Sequence, residues 1–127
     1  SLSFDEIKQR VRNLRNGAEP PSSVVAGMLA AASNKDILVR MLQNLKGIYS
    51  HHKDWMKALT ATDRIISVMP ESAEEYRDRG MIYLNLECFR AALFDLQAYL
   101  KMLPVAGDAE TVRQKVIELQ AVASRLN

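Results

Sequence analysis

The sequence has a single cysteine, Cys88, which excludes a disulfide bond within the chain. Aromatic residues make up only 6% of its 127 residues, and glycine occurs five times. These low contents favour packed helices over a fold rich in β-sheet. No apolar run approaches the roughly 20 residues that a membrane-spanning helix needs. The composition therefore indicates a helical protein, with 48% hydrophobic and 25% charged residues.

The charges do not form a block of one sign. Seventeen basic and fifteen acidic residues are interspersed along the chain, with a net charge of +2. This pattern argues against a nucleic-acid-binding arm and against a membrane-surface patch. The first residues, SLSFDEIK, lack the basic start and apolar core of a signal peptide, and they include no methionine. We expect a cytoplasmic domain that was excised from a longer protein.

Two stretches of the chain are related by a shift of 34 residues. The shift aligns residues of similar type, namely Tyr49 with Tyr83, Trp55 with Phe89, Ala58 with Ala92, Leu59 with Leu93 and Pro70 with Pro104. A sustained period of 34 residues resembles that of the tetratricopeptide repeat (TPR), a helix-turn-helix unit. The first copy of its pattern reads Leu42, Leu45, Lys46, Tyr49, Ala58, Thr62 and Pro70. The second copy reads Tyr76, Arg79, Gly80, Tyr83, Ala92, Leu96 and Pro104.

The pattern predicts an all-α fold of about seven helices in a right-handed superhelical stack. Helices are expected over 3–15, 22–32, 34–50, 54–69, 72–85, 89–102 and 108–126. Residues 1–33 form flanking helices, 34–70 the first repeat, 71–104 the second repeat and 105–127 a capping helix. Ser72 and Glu75 fit a capping box at the start of the second repeat. The last helix has an apolar face and a charged face, as a helix covering the end of a repeat array requires.

Several strings go beyond the generic repeat: ILVRMLQNLKGIY, DRIISVMP, EYRDRGMIYLNL and ALFDLQAYL. They resemble the C-terminal TPR region of a bacterial family of SirB-type invasion regulators with a transglutaminase-like N-terminal half. The resemblance implies that a Cys-His-Asp constellation lies upstream of the residues present here. Nothing in this chain matches that constellation.

Small residues and one charged residue define the expected packing within and between repeats. Gly80, Ala92 and Ala58 occupy positions where two helices of a repeat approach each other, so larger side chains would force them apart. Arg79 stands where the repeat pattern has leucine, and a charge at a packing position needs a partner. We expect an ion pair between Arg79 and Asp95, Asp63 or both.

No catalytic, cofactor-binding or metal-binding residues are predicted. Cys88 falls at a repeat turn, and the only histidines are the adjacent pair His51 and His52. A nucleophilic cysteine needs a neighbouring base, and zinc needs a cluster of ligands. The repeat register assigns Trp55 and the tyrosines to the core rather than to base stacking.

The concave groove of the repeats is the predicted functional surface, because the first helix of each TPR lines it. The candidate residues are Arg40, Gln43, Gly47, Glu74, Arg77, Asp78 and Met81. In one interpretation, Arg40 and Arg77 bind an acidic group of a partner. In the other, they are solvated or pair with Asp78 and Glu74. The groove is alternatively filled by the N-terminal helices or by the missing half.

Three functions remain open. The first is a non-catalytic protein-protein interaction module that docks a protein, a peptide or the upstream half. The second is a substrate-positioning fragment of a cysteine-dependent acyl-transfer or hydrolase enzyme. The third is an oligomerisation unit, such as a homodimer.

Overall fold

The computed structural model describes residues 22–126, which fold into five α-helices without a strand in that range. They are α1 (Ser22–His51), α2 (Trp55–Val68), α3 (Ala73–Asn85), α4 (Phe89–Met102) and α5 (Ala109–Arg125). The all-α prediction is confirmed. None of these helices combines the length and apolarity needed to cross a membrane. The helix predicted over 3–15 lies outside the described residues.

One predicted helix boundary is wrong. The helices expected over 22–32 and 34–50 form the single helix α1, which is 30 residues long. The physical reason is visible in the sequence, since no glycine or proline occurs between Gly27 and Gly47 to end a helix. The proposed division of the chain at 33 and 34 stays a prediction.

The chain divides into two compact units, residues 1–40 and residues 41–127. In the described part of the first unit, Met28 is buried, whereas Val24 and Leu29 are exposed. The second unit contains the end of α1 and all of α2 to α5. Both predicted repeats have their helix-helix turns in this unit.

The two turns have the same backbone geometry. Lys53, between α1 and α2, and Glu87, between α3 and α4, both have a φ of 58°. The residue after each one donates a backbone hydrogen bond to a tyrosine carbonyl: Asp54 to Tyr49 at 2.8 Å and Cys88 to Tyr83 at 2.9 Å. The repeat seen in the sequence is therefore also a repeat of conformation.

Small residues allow α3 and α4 to pack closely. A Cβ atom added to Gly80 would lie 2.8 Å from Leu96 Cδ2 and 3.3 Å from the Ala92 carbonyl oxygen. The methyl groups of Ala58 and Ala92 are fully buried. These positions are the close contacts that the repeat register predicts.

Helix α5 completes the core of the second repeat. Its buried face belongs to one apolar cluster with α3 and α4, formed by Ala73, Ala92, Leu96, Tyr99, Val112, Val116 and Leu119. The polar residues of α5 face outward, as expected of a capping helix.

The expected capping box at the start of α3 does not form. Ser72 is the N-cap, but its side chain makes no capping hydrogen bond. Glu75 is buried and its carboxylate contacts α1 instead. Glu75 therefore forms contacts with Gln43 and Lys46 of α1 instead of the local capping box.

Candidate functional site

Arg77 of α3, a predicted groove residue, is held by contacts within the chain. Its Nε donates a hydrogen bond to Asp78 Oδ1 at 3.1 Å, and its Nη1 donates to Asp108 Oδ2 at 3.1 Å. Its guanidinium also lies 5.4 Å from the centre of the Tyr99 ring. Burial lowers the pKa of Arg77, but the charge and hydrogen bonds of these partners outweigh it and raise the pKa. Arg77 is thus a permanently charged group in a fixed position.

Tyr99 and Asp108 complete this network. The Tyr99 hydroxyl donates a hydrogen bond to Asp108 Oδ1. This bond is the main cause of the raised Tyr99 pKa and of the lowered Asp108 pKa. Arg77 also lowers the Asp108 pKa, whereas it opposes the rise of the Tyr99 pKa. Asp108 is the N-cap of α5, yet its side chain makes no capping hydrogen bond. Sequence reasoning identified Arg77 but missed both partners, because Asp108 was interpreted only as a helix start.

Gln43 and Asp78 lie in a second polar network that joins α1 to α3. Gln43 Nε2 donates to Glu75 Oε2 at 2.8 Å. The Lys46 amine contacts Glu75 Oε1 at 2.9 Å and Asp78 Oδ2 at 2.7 Å. Lys46 occupies the position of Gly80 in the first repeat, where the repeat pattern has glycine. In the first repeat this position therefore carries a cation that binds the next repeat.

The side chains of Glu74 and Arg40, and Gly47, take no part in these two networks. Glu74 is exposed, and its side chain makes no hydrogen bond or ion pair with another described residue. Gly47 is exposed, and a Cβ atom there would meet nothing within 4 Å. Arg40 is an exposed residue of the first compact unit. Of the two predicted ion pairs of Arg77, the structure contains that with Asp78 and not that with Glu74.

Met81 lines a cavity of about 160 Å³ between α3, α4 and α5. Its walls are formed by Arg77, Met81, Leu96, Asp108, Thr111, Val112 and Lys115. Sequence reasoning named Arg77 and Met81 as groove residues but none of the α5 residues. The missed signal was the period itself, because Thr111 and Lys115 lie 34 residues after Arg77 and Met81.

The three residues of the predicted structural ion pair lie together. Arg79 donates to both carboxylate oxygens of Asp95, at 2.7 and 2.9 Å, and to Asp63 Oδ1 at 3.1 Å. Asp95 is buried, whereas Asp63 is exposed. The Asp95 hydrogen bonds are the main cause of the raised Arg79 pKa. The arrangement connects α2, α3 and α4.

Cys88 and the adjacent histidines lie outside these networks. Cys88 is exposed at the N-cap of α4, and its Sγ lies 3.7 Å from the Leu86 carbonyl oxygen. His51 and His52 contact each other edge to face, with ring centres 5.5 Å apart. Within residues 22–126, no group of three or more His, Cys, Asp or Glu side chains is arranged to hold a metal ion.

Paired helices with the same turn and the same 34-residue spacing define a helical-repeat protein. Residues 45–116 match a family model described as the tetratricopeptide repeat. The match covers more than half of the sequence, and the chain belongs to the tetratricopeptide-repeat family.

Three curated relatives are similar to the chain, and one of them carries the SirB name of the family that the sequence strings resemble. A UPF0162 protein of Xylella fastidiosa (strain Temecula1) is 35% identical over 93% of this chain and 42% of its own length. Protein SirB1 of Salmonella typhimurium (strain LT2) is 28% identical over 81% of this chain and 38% of its own length. The UPF0162 protein YchA of Escherichia coli (strain K12) is 27% identical over the same shares, 81% and 38%.

The chain spans about two-fifths of the length of the curated relatives it matches. Their names do not mention a transglutaminase-like half, which stays a prediction. No solved structure matches the chain.

Proposed function

We propose that the chain is a protein-interaction module that binds a partner peptide on the surface around Arg77, Met81, Thr111 and Lys115. We call this surface the α3–α5 surface. TPR arrays commonly use the first helix of each repeat to bind peptides or helices. By the 34-residue period, α3 and α5 are successive helices of that type. The cavity that they share with α4 is the observation that supports the proposal most directly.

The cavity has the size and character of a site for one apolar side chain. Its volume is about 160 Å³, and Met81, Leu96 and Val112 supply apolar walls. An apolar cavity of about 150 Å³ is large enough to hold benzene. A leucine or phenylalanine side chain of a partner peptide therefore fits the space. Met81 suits such a role because its flexible thioether side chain adapts to different partners.

The charges at the edge of the cavity have different roles in this proposal. Among residues 22–126, Lys115 pairs only with Glu118, at 3.3 Å and in an exposed position. An exposed pair of this kind contributes less than about 1 kcal/mol, so a partner carboxylate can replace Glu118. Arg77 is already bound by Asp78 and Asp108. We assign Arg77 to shaping the surface and Lys115 to contacting an acidic group.

The alternative function is positioning substrate for a cysteine-dependent acyl-transfer or hydrolase enzyme. More than half of each curated relative described above lies outside the match, which leaves room for a catalytic half. The activity of a full-length protein with Met81→Glu separates the two proposals. A raised KM for an acylated protein substrate, with kcat unchanged, supports the positioning role. An unchanged KM supports docking of a separate partner.

Photo-cross-linking in bacterial cells tests the proposed function. A photo-reactive amino acid is placed at Lys115 in one variant and at Gln97, exposed on α4, in a control variant. We expect a discrete protein adduct from position 115 and not from position 97. Adding Met81→Glu to the first variant should remove most of that adduct, because a charge would then face the apolar cavity.

Equal amounts of adduct from positions 115 and 97 would indicate non-specific cross-linking rather than binding at this surface. An adduct at position 115 that persists with Met81→Glu would exclude the cavity as the binding site. The melting temperature of each variant serves as the folding control. Met81 is exposed, so we expect that temperature to change little with Met81→Glu.

A further inference from the structure

The start of the repeat pair presents an apolar face on α1, formed by Met41, Leu45 and Ile48. The 34-residue period relates these residues to Glu75, Arg79 and Ile82 on α3. On α3 these positions are where the second repeat meets the first. The α3 positions follow another repeat, whereas the α1 positions begin the repeat pair.

The positions on α3 are covered and those on α1 are not. Glu75 and Ile82 are each 3% exposed. Glu75 contacts Lys46 of α1, and Arg79 contacts Asp63 of α2. By contrast, Met41 is 56% exposed and Ile48 is 52% exposed. Within residues 22–126, the α1 positions thus have the register of a repeat interface but no helix that fills it.

A groove lies beside this face, between α1 and α2. Its volume is about 240 Å³, and it is lined by Leu42, Leu45, Tyr49, Lys57, Thr60, Ala61 and Arg64. The α1 side is mostly apolar, whereas the α2 side carries two cations. The Lys57 amine lies 5.8 Å from the centre of the Tyr49 ring and 3.6 Å from Asp54. For Arg64, the described residues provide no acidic partner.

We propose that this face binds an amphipathic helix of a partner, packed as the helix of a preceding repeat would be. The spacing of Met41, Leu45 and Ile48 forms one stripe along a helix, which matches a facing helix with apolar residues at i, i+4 and i+7. Lys57 and Arg64 favour acidic residues along the edge of that helix which meets α2. The site is separate from the α3–α5 surface and does not depend on the proposed function.

The test measures fluorescence anisotropy of a labelled helical peptide with the whole chain. The probe has leucine at i, i+4, i+7 and i+11, glutamate along one edge, and alanine and glutamine elsewhere. We expect saturable binding, which Ile48→Glu weakens at least about tenfold because it puts a charge in the apolar stripe. Arg64→Glu should weaken binding of this probe and strengthen binding of a probe with lysine along the edge.

Matched controls keep the result specific. Met81→Glu, on the other surface, should leave binding of the probe unchanged, and a scrambled peptide of the same composition should not bind. Met41→Glu repeats the test if Ile48→Glu lowers the melting temperature, because Met41 is also exposed. No binding to the wild-type chain, or equal binding by the scrambled peptide, would overturn the proposal.

Self-association is the competing outcome. Light scattering of the chain without peptide shows whether a second copy covers the face. A dimer that dissociates with Ile48→Glu would replace the proposed foreign helix by a second copy of this chain. A monomer that binds the probe through Ile48 supports the proposal.

Discussion

Gly80 shows at the level of one residue how the two repeats differ. Its missing side chain leaves room for Leu96, whose Cδ2 would lie 2.8 Å from an added Cβ. The equivalent residue of the first repeat is Lys46, which instead reaches Glu75 and Asp78. The same position thus serves close packing in one repeat and an ionic contact between repeats in the other.

We predict that Gly80→Ala destabilises the chain by about 1–3 kcal/mol, because the new methyl group displaces Leu96 against the Ala92 backbone. Gly47→Ala is the matched control, since it also lies within a helix but has nothing within 4 Å. There we expect stabilisation by up to about 1 kcal/mol. Urea unfolding measures both changes. Equal effects of the two substitutions would contradict the close approach at Gly80.

The Arg79 ion pair leads to a second prediction. Asp95→Ala leaves a largely buried guanidinium without its main partner, which should cost about 3 kcal/mol. Asp63→Ala removes an exposed partner and should cost less than about 1 kcal/mol. Replacing the pair together, with Arg79→Leu and Asp95→Leu, should recover much of the loss because leucine is the usual residue at position 79. Denaturant unfolding of the four proteins forms the test.

If Asp63→Ala lowers stability as much as Asp95→Ala, the buried hydrogen bonds to Asp95 are not the main contribution of Arg79 to stability. If the double replacement is worse than both single changes, then the charged pair itself is required. The folded state of each variant is checked by circular dichroism before comparison.

The Arg79 partners could be predicted from sequence, whereas the Lys46 network could not. Arg79 violates the repeat pattern, and the 34-residue period shows which carboxylates face it. Lys46 also departs from the pattern, but its partner Glu75 fits a capping box equally well in sequence. Only the packing of α1 against α3 decides between the local and the long-range partner.

At the level of secondary structure, the helices α2 to α5 follow the predicted ranges closely. Proline and turn residues mark most of their ends, which makes those ends visible in sequence. Helix α1 was divided wrongly because its residues around Asn34 are less apolar, although nothing there ends a helix. A change in hydrophobic pattern indicates a change in what a helix contacts, and not its end.

The helix-helix turns give a third prediction. Glu87 has a φ of 58°, a left-handed conformation that costs most residues about 1–2 kcal/mol and costs glycine little. We expect Glu87→Gly to raise the free energy of unfolding by up to about 1 kcal/mol. Gln97→Gly, within α4, should lower it by about 1 kcal/mol instead. Thermal and urea unfolding measure both; destabilisation by Glu87→Gly would contradict the strained turn.

At the level of the whole molecule, the repeat period predicts the fold better than it predicts the site. The second helix of each repeat, the turns and the close contacts all follow from the 34-residue alignment. Sequence reasoning predicted only the α3 residues of the α3–α5 surface, because the alignment of the two repeats ends at Pro104. Lys115 is related to Met81 by the same period, but α5 lacks the glycine and tyrosine that mark a repeat.

The central claim is that a partner binds at the α3–α5 surface, through the cavity beside Met81. Its binding should be independent of the apolar face around Ile48. Two substitutions of the same type, Met81→Glu and Ile48→Glu, separate these surfaces, since both residues are exposed and each gains one negative charge.

The most direct measurement is a calorimetric titration with the peptide segment recovered from the adduct at position 115. We predict that Met81→Glu raises its Kd at least about tenfold, or about 1.4 kcal/mol, while Ile48→Glu leaves the Kd unchanged. A Kd that is the same for the wild-type chain and Met81→Glu would contradict the account.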